Sequence, residues 1–207
     1  MGNGSFSLHE DFIKVFENWS IYSAILVAFS VATWKYVKKY KKHKDFSFTQ
    51  VHSEINELLT ELRLVTDSAR TQIIQLHNGD YFMDGVSMRK FSVTHESLQR
   101  SIDSCANRMH GVLCSLFVPL LNLVLENKAT IHFTVDLKDS YFKQFFESRN
   151  IQAFSVLPIY TKNMLTGFLL TQWCNLEKAE NVEPVFVEHQ MQKMRNSIQV
   201  QLALQPR

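Results

Sequence analysis

At 207 residues with 45% hydrophobic content, the chain can bury one proper core once a membrane-length segment near its start is set aside. The 22 Lys and Arg against 20 Asp and Glu leave a charge of only +2, with the basic excess confined to one block. A basic nucleic-acid-binding face is therefore excluded. Cys105, Cys114 and Cys174 cannot all pair and contain no C-x-x-C, so they read as small buried hydrophobes in a reducing compartment, with no zinc or redox motif.

Residues 1–18 form a short N-terminal tail. Its opening MGNGSF lacks the Ser or Thr that N-myristoylation needs, because position 6 is Phe6. Residues 19–37 then read as a transmembrane helix. There is no charge from Trp19 to Trp34, and 19 helical residues cover about 28 Å, close to a hydrocarbon core of roughly 30 Å. Aromatic residues mark both ends, and the positive charges follow the apolar run, unlike those of a cleaved signal peptide. Ser20, Ser23, Ser30 and Thr33 make the span weakly hydrophobic, so a buried core helix is the alternative. Ser23, Ala24, Ala28, Ser30 and Ala32 permit close helix approach, and hydroxyls unsatisfied in lipid favour a homo-oligomer.

The basic juxtamembrane segment 38–46 completes the anchor. Lys35, Lys38, Lys39, Lys41, Lys42 and Lys44, against a lone Lys14 before the span, favour an N-out, C-in single-pass protein of a bacterial cytoplasmic membrane. Each lysine against anionic lipid headgroups is worth about 1 kcal/mol.

A domain over residues 47–207 follows. Phe48, Val51, Ile55, Leu58, Leu62 and Val65 recur in steps of three and four, an amphipathic helix suited either to a coiled-coil seam or to packing on the domain's own sheet. Arg70 to His77 reads as a strand, Asn78-Gly79 and Asp84-Gly85 as turns, and Ser87 to Glu96 as a second strand. Residues 98–127 read as helical, broken or kinked at Pro119. Residues 129–136 read as a strand, and 140–150 as a short helix capped by Asp139 or Ser140. Residues 151–161 and 164–175 form a hairpin across Lys162-Asn163, and a closing helix begins near Pro184 with Val187, Met191, Met194, Ile198 and Leu202 on one face.

This order predicts an α+β fold, an antiparallel sheet carrying the first and last helices on one face. Over residues 47–204 it resembles the GAF domain. The most specific stretch is FSVLPIYTKNMLTGFLLTQW, where Pro158 and Gly167 stand at positions that the GAF pattern favours. The resemblance implies a ligand pocket beneath helices crossing the open face, with Lys90, Ser92, Thr94, Tyr141 and Phe145 as candidates.

No catalytic motif emerges. His77, Asp80, His95 and Glu96 could converge, with Lys90, as ligand or partner contacts if the two first strands pair; their spacing matches no metal motif, and turn or strand-end hydrogen bonding is the plainer reading. Cys105 or Cys114 with His110 lacks an oxyanion or orienting group, and the six glycines form no phosphate loop. The chain reads as non-enzymatic, with no cofactor and no metal.

Two functions fit. The layout is similar to that of T-type phage holins, in which a weak span oligomerises into the lesion that releases endolysin and the soluble domain binds an antiholin-like regulator; Asn163, Gly167 and Trp173 carry the local likeness. That family places its domain in the periplasm, opposite to the orientation favoured by the lysines. The alternative is a membrane-anchored cytoplasmic sensor or adaptor that binds a small ligand or a partner protein. With the closing helix running to the last residues, no output domain is expected.

Overall fold

The computed structural model describes residues 7–81 and 87–204, with backbone alone for residues 7–22, Ala24, 40–47, Asp80 and Ser87. The elements in chain order are α1 (Ser7–Val65), β1 (Arg70–Tyr81), β2 (Ser87–Leu98), β3 (Val112–Leu113), α2 (Val118–Glu126), β4 (His132–Phe133), α3 (Tyr141–Glu147), β5 (Ala153–Thr161), β6 (Met164–Trp173), α4 (Leu176–Asn181) and α5 (Pro184–Leu204). Single 3-10 turns occupy Cys114–Phe117 and Thr134–Asp136. The chain divides between Thr49 and Gln50 into two compact units.

In the first unit, Ile25, Leu26, Val27, Phe29, Val31 and Trp34 are exposed, although they point to every side of the helix. No helix is long and apolar enough, among the described residues, to cross a membrane. The expected span is only partly covered by that statement, since the side chains of Trp19–Tyr22 and Ala24 lie outside the described residues, as do those of Lys41, Lys42 and Lys44. One expectation is corrected. The Ser30 hydroxyl donates to the Leu26 carbonyl at 2.8 Å and that of Thr33 to the Phe29 carbonyl at 3.0 Å, so both are satisfied within their own helix.

In the second unit the strands form one antiparallel sheet in the order β3-β2-β1-β6-β5-β4. The β5–β6 hairpin turns at Lys162 and Asn163, both at positive φ (53° and 62°), which is the two-residue geometry that matches the twist of paired strands. Gly167 sits opposite Gln75 of β1 and Ile159 of β5, and a Cβ there would collide with the Ile74 carbonyl oxygen. Beyond Ala153 and Phe154, β5 is no longer paired with β4, so Pro158 needs no N–H on that side.

Each face of the sheet buries its own core. On one, Val51, Ile55, Leu59 and Leu62 of α1 and Val187, Met191, Met194, Ile198 and Leu202 of α5 cover Ile73, Leu157, Leu169 and Trp173. The periodic stripe therefore packs on the domain's own sheet; Leu59 is fully buried whereas Phe48 and Val65 are exposed, a rotation of the stripe by about one residue. Trp173 is anchored by its indole N–H, which donates to the Thr66 carbonyl at 3.1 Å. Each such large side chain contributes about 1.5–3 kcal/mol by leaving water. On the other face, Phe117, Leu120, Val124, Phe142 and Phe146 cover Ile74, Phe91, Phe154 and Phe168.

Three expected elements differ. Residues 98–127 hold a helix only from Val118, and Pro119 lies in its first turn, where a missing N–H costs nothing; it starts the helix instead of breaking it. Of residues 129–136, only His132 and Phe133 are strand. Asn78-Gly79 lies within β1, which runs to Tyr81, and forms no turn. Of the two expected caps of α3, Ser140 serves, its hydroxyl accepting from the Lys143 N–H at 3.2 Å. The short α4, capped by Asn175, carries too few residues to show a period.

Candidate functional site

Among the described residues of the polar cluster expected at the first two strands, His77, His95 and Glu96 have separate partners. Adjacent strand residues point to opposite faces, and a register shift between Ile73 and Ile74 adds a residue to β2, so His95 pairs with Ile73 while Glu96 pairs with Gln72 on the other face. His95 Nε2 lies 2.6 Å from His52 Nδ1 of α1, the rings stacked at 4.8 Å, with Thr94 Oγ1 at 3.1 Å from its other nitrogen. Burial, and secondly the neighbouring His52, hold its pKa down at about 4, so the ring is neutral at pH 7. His77 Nε2 lies 2.9 Å from Ser92 Oγ, which accepts the Gly111 N–H at 2.8 Å. Lys90 runs its methylene stem beside Gly79. The Asp80 side chain lies outside the described residues.

Beneath the crossing helices, where the pocket was expected, the described residues form an aromatic cluster. Phe142, Phe146 and Phe154 meet edge to face with centroids 4.4–5.5 Å apart. Phe117 is ringed by Phe91, Tyr141, Phe142 and Phe145 at 5.2–6.0 Å. These distances are those of packed aromatic cores. Of the candidates there, Tyr141 and Phe145 are walls of this cluster, and Ser92, midway along β2, is buried with hydrogen bonds to His77 and Gly111.

At the end of the same face, polar residues enter the sheet. Arg70, the first residue of β1, is buried, as are Gln72 and Gln172. Arg70 Nη1 donates to Gln172 Oε1 at 2.7 Å and Nη2 to the Asp103 carbonyl at 2.7 Å, while its Nε lies 3.4 Å from Glu96 Oε1. Glu96 also accepts from Gln72 Nε2 at 2.6 Å and from the Ser104 hydroxyl. The Cys105 thiol stands beside Gln72 and Glu96, and burial pushes its pKa up. Gln72 Oε1 and Gln172 Nε2 are buried without a hydrogen-bond partner among the described residues. Each such omission costs about 1–3 kcal/mol, so the cluster is an expensive thing to place in a core.

Arg70 forms one wall of an open cleft of about 650 Å³, shared with Ser101, Asp103, Arg108, Ser148, Arg149 and Cys174. A smaller hollow of about 270 Å³, lined by Lys178 and Asp67 among others, shares Ser101, Ile102, Asn150 and Cys174 with it. Ser101 and Asn150 both have positive φ, 80° and 52°; for the serine this backbone is uncommon outside glycine. The Cys174 thiol is pushed up by burial, with Arg70 opposing. Sequence reasoning missed this cleft. Its only trace was Arg70, Gln72 and Gln172 interrupting otherwise apolar inward-facing strand positions. Among the described residues no group of three or more His, Cys, Asp or Glu is placed to hold a metal ion.

No family model matches the chain, and no curated relative matches it either. Solved structures do. The phycoerythrobilin-bound GAF domain of a cyanobacterial phytochrome superposes with a TM-score of 0.56 at 15% identity, covering 81% of this chain and 92% of that one. A far-red cyanobacteriochrome photoreceptor gives 0.55 at 14%, covering 83% and 98%. The phycocyanobilin-bound GAF domain of a cyanobacterial phytochrome gives 0.54 at 15%, covering 78% and 94%. At such identities the likeness speaks for architecture alone: the fold is GAF-like.

Proposed function

We propose that the chain is a non-enzymatic sensor or adaptor, anchored to a membrane by its N-terminal segment, whose GAF-like domain binds a small ligand in the Arg70 cleft. The cleft carries the reading. Its volume lies in the range of small-molecule sites, roughly 300–1,000 Å³, and a costly buried polar network supports its wall, while the face beneath the crossing helices is closed by phenylalanines. Two of the structural neighbours are bilin-bound domains, which fits ligand binding as a use of this fold. The anchor is supported by Ile25 to Trp34, exposed on every side of the helix, and by the lysines that follow, which favour a cytoplasmic domain.

A lesion-forming holin stands behind this reading. Asn163, Gly167 and Trp173, on which the local likeness rests, serve the hairpin turn, the close approach to Ile74 and the anchor to Thr66. Any protein with this hairpin has use for them, whatever its function.

Two measurements test the proposal. With a fluorescent protein fused after Arg207 in a bacterium, fluorescence is expected in the membrane fraction; a fully soluble fusion, or activity of an alkaline phosphatase fused at the same point, defeats the anchor or its orientation. A small-molecule thermal-shift panel is expected to yield hits on the wild type that Ser148→Trp, which fills the cleft, abolishes. Hits that survive the substitution defeat the site.

A further inference from the structure

We infer that the Arg70 cleft takes a small phosphate-bearing anion, with Arg108 and Arg149 as its cationic contacts. The inference rests on the small-ligand reading above and names the class of ligand. It follows from which polar groups around the cleft are already committed.

Arg70 is locked by Gln172, Asp103 and Glu96, so it shapes the wall while its charge is balanced. Ser104 gives its proton to Glu96, and Ser148 gives its own to the Phe145 carbonyl at 2.8 Å. The Asn150 carboxamide bridges the Cys174 carbonyl and Gln152. In the adjoining hollow, Lys178 is paired with Asp67 at 2.7 Å. Arg108 and Arg149 differ from all of these, since neither has a carboxylate within ion-pair distance among the described residues. The one carboxylate in the lining is Asp103. Counting Glu96 behind the wall, three guanidinium groups oppose two carboxylates, and the surplus charge is positive.

Arg149 is also preorganised. Its guanidinium lies over the Phe145 ring, 5.6 Å from the centroid. The contact holds the cation over the ring, and the planar fork presents an N–H edge. That edge matches two oxygens of a phosphate, a geometry that lysine does not reproduce.

Titration calorimetry with inorganic pyrophosphate on the full chain tests this. Binding is expected to weaken at least tenfold in Arg108→Gln and in Arg149→Gln, to weaken in Arg149→Lys despite the retained charge, and to tighten at low salt. Unchanged thermal midpoints, expected because neither side chain is buried, separate lost binding from misfolding. No heat from the wild type, or wild-type affinity in both Gln variants, overturns the inference. Citrate bound as tightly as pyrophosphate overturns the phosphate assignment. If pyrophosphate fails while a neutral compound binds in a manner that Ser148→Trp abolishes, the anion inference falls and the small-ligand reading stands; if neither binds, both fall.

Discussion

Arg70 and Gln172 face each other across the β1–β6 pairing, 102 residues apart in the chain, and the guanidinium donates to the carboxamide at 2.7 Å with both side chains buried. The same guanidinium balances Glu96, whose side chain is itself buried. Arg70→Met keeps the volume and removes the charge, leaving a carboxylate in the core. It is expected to cost about 3–5 kcal/mol in urea denaturation, and adding Glu96→Gln is expected to restore part of that. A loss below 1 kcal/mol would mean that solvent, not Arg70, balances Glu96.

Burial of His95, with His52 beside it, gives the domain an acid limit. Since the His95 pKa is held at about 4, below its ordinary 6.5, the fold favours the neutral ring. Its contribution is whole above pH 6.5 and is lost as the pH falls toward 4. At about 1.4 kcal/mol per unit, discounted for partial solvation of the ring, the loss comes to about 2 kcal/mol. The urea midpoint of wild type is expected to drop over that window, and that of His95→Gln to drop less. Parallel pH profiles would place the acid limit elsewhere.

Gly167→Ala tests the closeness of β1 and β6. The added methyl meets the Ile74 carbonyl oxygen and the Gln75 Cα, both backbone atoms that no rotamer change can move aside. A loss of about 1–3 kcal/mol is expected from thermal or urea unfolding, as for other overpacked sites. A neutral substitution would show that the strands are free to separate.

Phe146→Ala tests whether the face beneath the crossing helices is shut by packing alone. Phe146 is fully buried against Phe142 and Phe154, and alanine suits α3, so the loss is of core volume. A cost of about 3–5 kcal/mol is expected, with the melting temperature partly recovered by benzene, which an apolar cavity admits. Absence of rescue would mean that the helices collapse into the space.

Much of this architecture was legible because its signals are local. The steps of three and four from Val51 to Leu62 and from Val187 to Leu202 define helix faces by period alone, and the Lys162-Asn163 turn lies between two β-rich runs. The region from Gln99 to Gly111 was misread as helix because its apolar residues, Ile102, Cys105 and Met109, also fall in steps of three and four. There they anchor a loop, and Val93 accepts that loop through its own N–H, which donates to the Met109 carbonyl at 3.0 Å.

The sequence by itself determined which segments are amphipathic, where the hairpin turns and where positive charge is concentrated, since all three depend on residues close together in the chain. Only the tertiary structure decided which polar residues work together. One extra residue in β2 sends His95 to His52 and Glu96 to Arg70, and strand pairing over 102 residues brings Gln172 to the same guanidinium. The cleft beside them draws its walls from Arg70, the loop at Ser101–Arg108, the end of α3 at Ser148–Asn150 and Cys174. A site assembled from four separated segments has no period and no motif, so it exists only once the chain has closed around its sheet.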